Sequence, residues 1–191
     1  NILEAARKND IDLVINTSTS ETYGSALYTP IDELHPLQGQ SPYSASKISA
    51  DKLTESYFNS FGLPVMTVRP FNTYGPRQSS RAVIPTIISQ LLTQEKVILG
   101  DVSPVRDFTY VEDTANGFLC AAENDQHIGE VINLGYGKAA SIGETAETIM
   151  KIMNLKKEIV TDSSRIRPKN SEVLHLVSDN KKAKDLIGWK P

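Results

Sequence analysis

Two short stretches of the sequence carry side chains that could do chemistry together. One reads STSETYG and places Glu21 after an apolar run and close to Thr19, and the other reads PYSASK and places Tyr43 four residues before Lys47. A carboxylate at such a position could remove a proton from a carbon that a neighbouring ketone has made acidic. Residues two apart in an extended segment face the same side, so Thr19 and Glu21 are expected to point at one substrate.

The tyrosine and the lysine predict a general base. A tyrosine is a poor base near neutral pH unless a cation stabilises its phenolate, and residues four apart share a helix face. Each feature also has a plain structural interpretation, because the chain has seven tyrosines and a single glutamate is often an exposed loop residue. The position of the pair favours function: it opens a helix after a loop that leaves a strand end, where doubly wound sheets bind ligands.

The apolar spacing in the first half predicts an α/β unit. It indicates a helix ending near Asn9, a strand over 13–16, a helix over 44–61 closed by Gly62, and a buried strand, PVMTVRP. A strand, helix, strand crossover of this length predicts parallel, right-handed pairing. We therefore expect a partial doubly wound, Rossmann-like parallel sheet with a smaller C-terminal substrate-binding part.

The second half is predicted to contain shorter elements. The sequence indicates helices over 82–94, 111–124 and 141–154, strands over 105–111 and 130–135, a loop over 156–177 and a last helix over 178–187. Ser141 and Glu144 have the spacing of a capping box. We assign residues 1–75 to the C-terminal half of a dinucleotide-binding domain that carries the catalytic residues. Residues 76–191 are assigned mostly to substrate binding, with some elements returning to the sheet.

Composition narrows the class of partner. The net charge is −3 and no Lys/Arg stripe is present, so a small molecule is expected rather than nucleic acid or a membrane surface. Cys120 is the only cysteine and the three histidines are scattered, so neither a disulfide framework nor a metal site is expected. No stretch is apolar for long enough to span a bilayer and no leader is recognisable, which predicts a cytoplasmic protein.

Five ordered segments resemble a known family. The segments NTSTSETYG, SPYSASK, VRPFNTYGPRQ, VRDFTYVEDTANG and NLGYG resemble those of extended short-chain dehydrogenase/reductases that act on nucleotide sugars. Within that family the chain looks closest to the NAD-dependent 4,6-dehydratases, and its RPFNTYGPRQSSRAVIPTII run resembles those that make legionaminic-type sugars from UDP-N-acetylglucosamine. A UDP-glucuronate decarboxylase or a UDP-sugar 4-epimerase of the same family remains an alternative. So does a non-catalytic nucleotide-sugar-binding fragment, which would not need all four reactive side chains.

The resemblance implies a role for each reactive side chain. Tyr43 would take the proton of the sugar C4 hydroxyl as the hydride passes to NAD, and Lys47 would hold the nicotinamide ribose. Glu21 would then remove the C5 proton and help to expel the C6 hydroxyl as water, while Thr19 would bond O4. Many 4,6-dehydratases carry an aspartate where this chain has Ser20, so one carboxylate would serve both parts of the elimination.

The resemblance also implies binding residues and a homodimer. The cofactor would contact Ser18, Tyr43, Lys47 and Pro70, and the nucleotide sugar would contact Asn72, Arg81, Arg106, Asn133 and Arg167. The glycine-rich turn with which the family cradles the dinucleotide pyrophosphate is missing from this sequence. We therefore expect the chain to be the later part of such an enzyme and to hold NAD poorly by itself.

Overall fold

The computed structural model describes residues 1–165 and 173–191. Its strands are β1 Val14–Thr17, β2 Val65–Pro70, β3 Asn72–Tyr74, β4 Lys96–Leu99, β5 Val105–Tyr110, β6 Val131–Leu134, β7 Ala139–Ser141, β8 Glu158–Thr161 and β9 His175–Leu176. Its α-helices are α1 Ile2–Lys8, α2 Pro42–Phe61, α3 Val83–Thr93, α4 Val111–Glu123, α5 Ile142–Ile152 and α6 Lys181–Ile187. Short 3-10 helices span Ser20–Tyr23, Asp125–His127 and Ser163–Arg165.

The central sheet is parallel, with the strand order β1-β2-β6. Side chains of β2 alternate between its two faces, as a strand requires. Val65 packs with Ala6 in a cluster that includes α1 and α2, whereas Met66 and Val68 pack with Trp189 and with residues of α4 and α6. Helices therefore cover both faces of the sheet, and the predicted Rossmann-like α/β fold is confirmed.

The helix α2 is fixed at both ends by local sequence. Ser41 caps its N-terminus in a reciprocal capping box with Ser44, Pro42 occupies the first turn, and Gly62 ends it with a φ of 67°. Proline is tolerated in the first turn, and glycine adopts the left-handed conformation without steric cost. The helix begins two residues before the predicted start, because the cap lies at Ser41.

The second half forms two smaller sheets. The strand β5 pairs with β3, β7 and β9, and β4 pairs with β8. The helices α3 and α5 pack on β4 around an apolar cluster of Ile87, Leu91, Val97, Leu99 and Ala146. The predicted capping box of α5 is confirmed, since Glu144 N–H donates to Ser141 Oγ at 3.0 Å and Ser141 N–H donates to the Glu144 carboxylate at 2.7 Å.

Two further predicted boundaries are wrong. The loop expected over 156–177 contains β8, whose pairing with β4 could not be read from a segment of four residues. The last helix begins at Lys181 rather than Ser178, because the backbone N–H of Ser178 donates to Asp107 and that of Asp179 donates to Ile31. The strand β6 lies far along the chain but pairs with β2. The division into two domains at residue 75 stays a prediction. Within residues 1–165 and 173–191, no helix has the length and apolar character needed to cross a bilayer.

Candidate active site

The glutamate motif lies immediately after β1, in a tight turn rather than in an extended segment. Thr19 is extended and caps the 3-10 helix Ser20–Tyr23, and its Oγ1 accepts the N–H of Glu21 at 3.3 Å. The expectation that Thr19 and Glu21 face one side because of their spacing in an extended segment is therefore wrong in its geometry. The turn forms because Thr22 bonds back to the carbonyl of Thr19 through both its backbone N–H and its hydroxyl.

The tyrosine and the lysine lie in the first turns of α2, beside the end of β1. The Lys47 Nζ donates to the carbonyl of Thr17 at 3.0 Å, which ties the ammonium to the strand end. The side chain of Tyr43 is 54% exposed and is open to a ligand. Because β1 and β2 are parallel, both side chains lie at the carboxyl edge where doubly wound sheets bind their ligands.

A cleft of about 460 Å³ lies next to the Glu21 turn. Of the predicted site residues, the cleft is lined by Glu21, Asn72, Arg81 and Arg106. Other lining residues include Gln78, Asp101 and Arg165. Three guanidinium groups in one cleft favour a ligand with phosphate groups, because the planar fork of arginine matches phosphate oxygens.

Two amide oxygens in this cleft accept no hydrogen bond from the described protein. They are Asn72 Oδ1 and Gln78 Oε1, and both atoms are buried. The amide nitrogen of Gln78 is already used, since it donates to the carbonyl of Thr73 at 2.8 Å. Buried acceptors normally have a donor, so the cleft suits a ligand that carries hydroxyl or N–H groups. Sequence reasoning missed Gln78, although it lies at the end of the VRPFNTYGPRQ segment.

Two predicted binding residues point into the protein instead. The hydroxyl of Ser18 donates to the Asp51 carboxylate at 2.9 Å. Asn133 is 0% exposed; its Oδ1 accepts from the Tyr23 hydroxyl at 2.7 Å and its Nδ2 donates to Ile31 at 3.1 Å. Both side chains are buried and bonded within the protein, and the assignment of Ser18 to the cofactor and of Asn133 to the substrate stays a prediction.

Two further predicted binding residues, Pro70 and Arg167, are not among the described residues that line this cleft. Pro70 is partly exposed at the end of β2, at the same sheet edge as Lys47. Arg167 lies outside the described residues.

The strand that carries Arg106 is held by a buried carboxylate. The next residue, Asp107, accepts backbone N–H groups from Tyr136 and Gly137 at 2.8 Å and from Ser178 at 3.1 Å. Burial raises the pKa of Asp107, and these three donors act against that rise. Asp107 thus joins β5 to two later loops and fixes the backbone from which Arg106 reaches the cleft.

Comparison with known proteins assigns the chain to a class. A family model described as GDP-mannose 4,6 dehydratase matches residues 1–191, so the chain belongs to this family of nucleotide-sugar dehydratases and epimerases. The human protein named dTDP-D-glucose 4,6-dehydratase is 30% identical, over 100% of this chain and 55% of that protein.

Two similar solved structures are named for two different reactions, epimerisation and dehydration. A UDP-glucuronic acid 4-epimerase from Bacillus cereus, in complex with UDP-glucuronic acid and NAD, superposes with a TM-score of 0.91 at 31% identity. A dTDP-glucose 4,6-dehydratase from Bacillus anthracis, in complex with NAD, gives a TM-score of 0.89 at 31% identity. The alignments cover 100% of this chain and 60% of each of those chains, so the chain spans about three fifths of the length of these relatives.

Proposed function

We propose that the protein carrying this chain is an NAD-dependent nucleotide-sugar 4,6-dehydratase, with a UDP-sugar such as UDP-N-acetylglucosamine as substrate. The observation that carries the proposal is the position of Glu21, which lines the same cleft as Arg81 and Arg106. A 4-epimerase needs no carboxylate at this point, whereas elimination from a 4-keto sugar needs a base for the C5 proton.

The arginines orient the substrate. Arg106 is 8% exposed, and a guanidinium held in a largely buried position binds a diphosphate more strongly than one in water. Arg81 lies on the exposed side of the cleft and adds a second positive charge. The unpartnered oxygen of Asn72 accepts a hydroxyl or N–H of the ligand, which fixes the depth at which the nucleotide sugar lies.

The residues at the sheet edge fit the nicotinamide end of NAD. The ammonium of Lys47 and the hydroxyl of Tyr43 are suitable donors for ribose oxygens, and Pro70 closes the end of β2 beside them. When bound, NAD would supply the hydride acceptor for C4 and the hydride that adds to C6, while a proton from the solvent adds to C5. The two relatives whose structures contain NAD support this assignment.

The first step belongs to the start of α2. Tyr43 takes the proton of the C4 hydroxyl, and Lys47 stabilises the phenolate by its charge. Thr19 steadies the sugar: its oxygen accepts the N–H of Glu21, so its own proton is available for a bond to O4.

The second step belongs to the turn after β1. Once C4 is a ketone, Glu21 removes the C5 proton and then returns a proton to the departing C6 hydroxyl, which leaves as water. Ser20 is 2% exposed and so is not placed to act on the sugar. Both parts of the elimination therefore fall to Glu21.

A second candidate is a UDP-sugar 4-epimerase, favoured by the close superposition on the Bacillus cereus epimerase. Product analysis of the full-length protein with NAD in deuterium oxide separates the candidates. Dehydratase activity on UDP-N-acetylglucosamine gives a 4-keto-6-deoxy sugar that has lost water and carries deuterium at C5. A C4 epimer of unchanged mass would instead show the epimerase, and carbon dioxide released from UDP-glucuronate would show a decarboxylase.

The variant Glu21→Gln tests the assigned base. It keeps the side-chain shape, so C4 oxidation should continue while elimination slows by about 10² to 10⁴-fold, the contribution of a general base. The matched control is Glu147→Gln, an exposed carboxylate on α5, which should eliminate at the wild-type rate. Wild-type uptake of deuterium at C5 by Glu21→Gln would show that another group removes the proton.

A further inference from the structure

A buried carboxylate near the middle of α2 anchors the first half of this helix to the ends of β1 and β2. Asp51 lies one helical turn after Lys47 and is 5% exposed. Its Oδ1 accepts from Asn16 at 2.9 Å, and its Oδ2 accepts from the Ser18 hydroxyl at 2.9 Å and from Arg69 Nε and Nη2 at 3.1 and 2.9 Å. Two donors come from β1 and its end, and the third from β2, so one side chain joins the helix to both strands.

The same network continues to the turn that carries Glu21. Arg69 Nη1 donates to the Tyr23 hydroxyl at 2.9 Å, and the guanidinium lies over the Tyr23 ring, 4.9 Å from its centroid. The Tyr23 hydroxyl in turn donates to Asn133 on β6 at 2.7 Å. Tyr23 is the last residue of the 3-10 helix that contains Glu21, so the network fixes this turn at its C-terminal end.

Apolar packing does not explain how the start of α2 is held. The buried residues of this helix are Ser44, Asp51 and Thr54, and all three are polar. Its apolar contacts come later, through Tyr57 and Phe58 in the cluster with α1. Near the reactive side chains, the contacts that fix the helix are therefore polar: the hydrogen bonds of Asp51 and the bond from Lys47 to the Thr17 carbonyl.

Stability alone is also a weak reason to bury this ion pair. Desolvation of two charges offsets most of their attraction, and apolar replacements of buried ion pairs are often as stable. What charged hydrogen bonds add is direction, because each donor and acceptor must be correctly oriented.

We propose that Asp51 and Tyr23 are positioning residues of one buried network, in which Asp51 aims Tyr43 and Lys47 while Tyr23 aims Glu21. The inference rests on the proposed function, because it assigns the two arms of the network to the two chemical steps. It predicts that damage to one arm slows one step more than the other. A network that merely stabilised the fold would affect both steps together.

The test uses the full-length protein with NAD and the nucleotide sugar that the wild type converts fastest among UDP-N-acetylglucosamine, dTDP-glucose and UDP-glucuronate. Asp51→Asn should slow single-turnover NAD reduction by about 10- to 100-fold, the cost of a small misplacement, with little change in nucleotide-sugar affinity. Tyr23→Phe removes one hydroxyl and keeps the ring; it should leave NAD reduction near the wild-type rate and slow C5 deuterium exchange by about 3- to 10-fold.

A second readout does not depend on turnover. Hydrogen–deuterium exchange should quicken at the backbone amides of residues 44–48 in Asp51→Asn and at those of residues 20–24 in Tyr23→Phe. The control is Thr54→Val, which lies on the same helix, is buried and bonds only to Ala50 of its own helix among the described residues. It should lower the melting temperature without changing the ratio of the two rates.

Several results would overturn the inference. These are wild-type NAD reduction by folded Asp51→Asn, equal slowing of both steps by Tyr23→Phe, or a change in the rate ratio in Thr54→Val that matches either variant. If Asp51→Asn does not fold, Asn16→Ala replaces it, because it removes one donor to the same carboxylate and should slow NAD reduction alone. If the wild-type protein reduces NAD without C5 exchange, the dehydratase assignment is wrong. The role of Asp51 is then tested by the rate of NAD reduction alone. A wild-type protein that shows neither NAD reduction nor C5 exchange contradicts both the proposed function and the positioning inference.

Discussion

The interiors of two regions of the molecule are stabilised by different kinds of contact. Around β1, β2 and β6 the interior contains the Asp51–Arg69 ion pair, with both side chains 5% exposed. Around β4 and β8 the interior is an apolar cluster, and the ion pair between Lys96 and Glu158 lies on the surface with side chains 55% and 64% exposed. Apolar packing is common to both regions, and the buried charged hydrogen bonds are added beside the side chains to which the proposed function assigns the chemistry.

The strongest test of this contrast is Tyr43→Phe in the full-length protein. Removal of one exposed hydroxyl should reduce C4 oxidation by about 10³-fold, within the range for loss of a general base, and should leave the stability unchanged. Stopped-flow measurement of NAD reduction checks the rate, and calorimetry checks substrate affinity. A variant that reduces NAD at the wild-type rate would remove Tyr43 from the mechanism.

The opposite result is expected for Ile87→Ala in the apolar cluster. Ile87 is completely buried, so truncation should lower the free energy of unfolding by about 2 to 5 kcal/mol. The rate of C4 oxidation at a temperature where the variant is folded should stay close to wild type. Urea unfolding and single-turnover kinetics measure the two quantities, and a large loss of rate in folded protein would show that the two regions are coupled.

A smaller effect is expected at the boundary between the regions. Arg106→Ala should weaken nucleotide-sugar binding by about 1.5 to 3 kcal/mol, the value of a hydrogen bond to a charged group. Arg106→Lys keeps the charge but loses the bidentate fork, so it should recover only part of the affinity. Titration calorimetry compares the three proteins, and equal affinity of all three would exclude contact with the diphosphate.

The smallest effect concerns pH. Burial raises the pKa of Tyr23 to about 12, so the folded state keeps this phenol neutral after the unfolded chain has begun to ionise. The stabilisation is complete below the unfolded pKa near 10 and is lost as the pH rises toward 12. Between pH 9.5 and 11.5 the wild type should lose about 1 to 2 kcal/mol more stability than Tyr23→Phe, which lacks this group. Urea unfolding at several pH values measures the difference, and parallel curves would contradict it.

Short-range signals predicted where the proposed reactive residues lie, after a strand and at the start of a helix. The spacing of Tyr43 and Lys47 and the strand ahead of Glu21 depend on neighbouring residues, so the sequence could indicate them. The local turn at Glu21 was missed because Thr22 stabilises it through its own hydroxyl, an interaction that alternation does not reveal.

Long-range pairing was harder to predict. Asn133 was assigned to the substrate, but its partner is Tyr23, 110 residues away. The strands β4 and β8 are four residues each and are separated by α5 and other elements, so neither has enough length for a clear pattern. The buried acceptor of Gln78 depends on a cleft that only the folded chain forms.

The late return of the chain to β6 also bears on the order of folding. Residues 71–130 separate β2 from β6, and closing such a long segment has an entropic cost that local contacts must offset first. The helix α2 and the strands beside it are close in sequence and can associate early, whereas Tyr23 gains its Asn133 acceptor only when β6 docks. We therefore expect the turn that contains Glu21 to reach its final position among the last events of folding. A newly synthesised chain would then have its proposed catalytic residues in place only when β6 has joined the sheet.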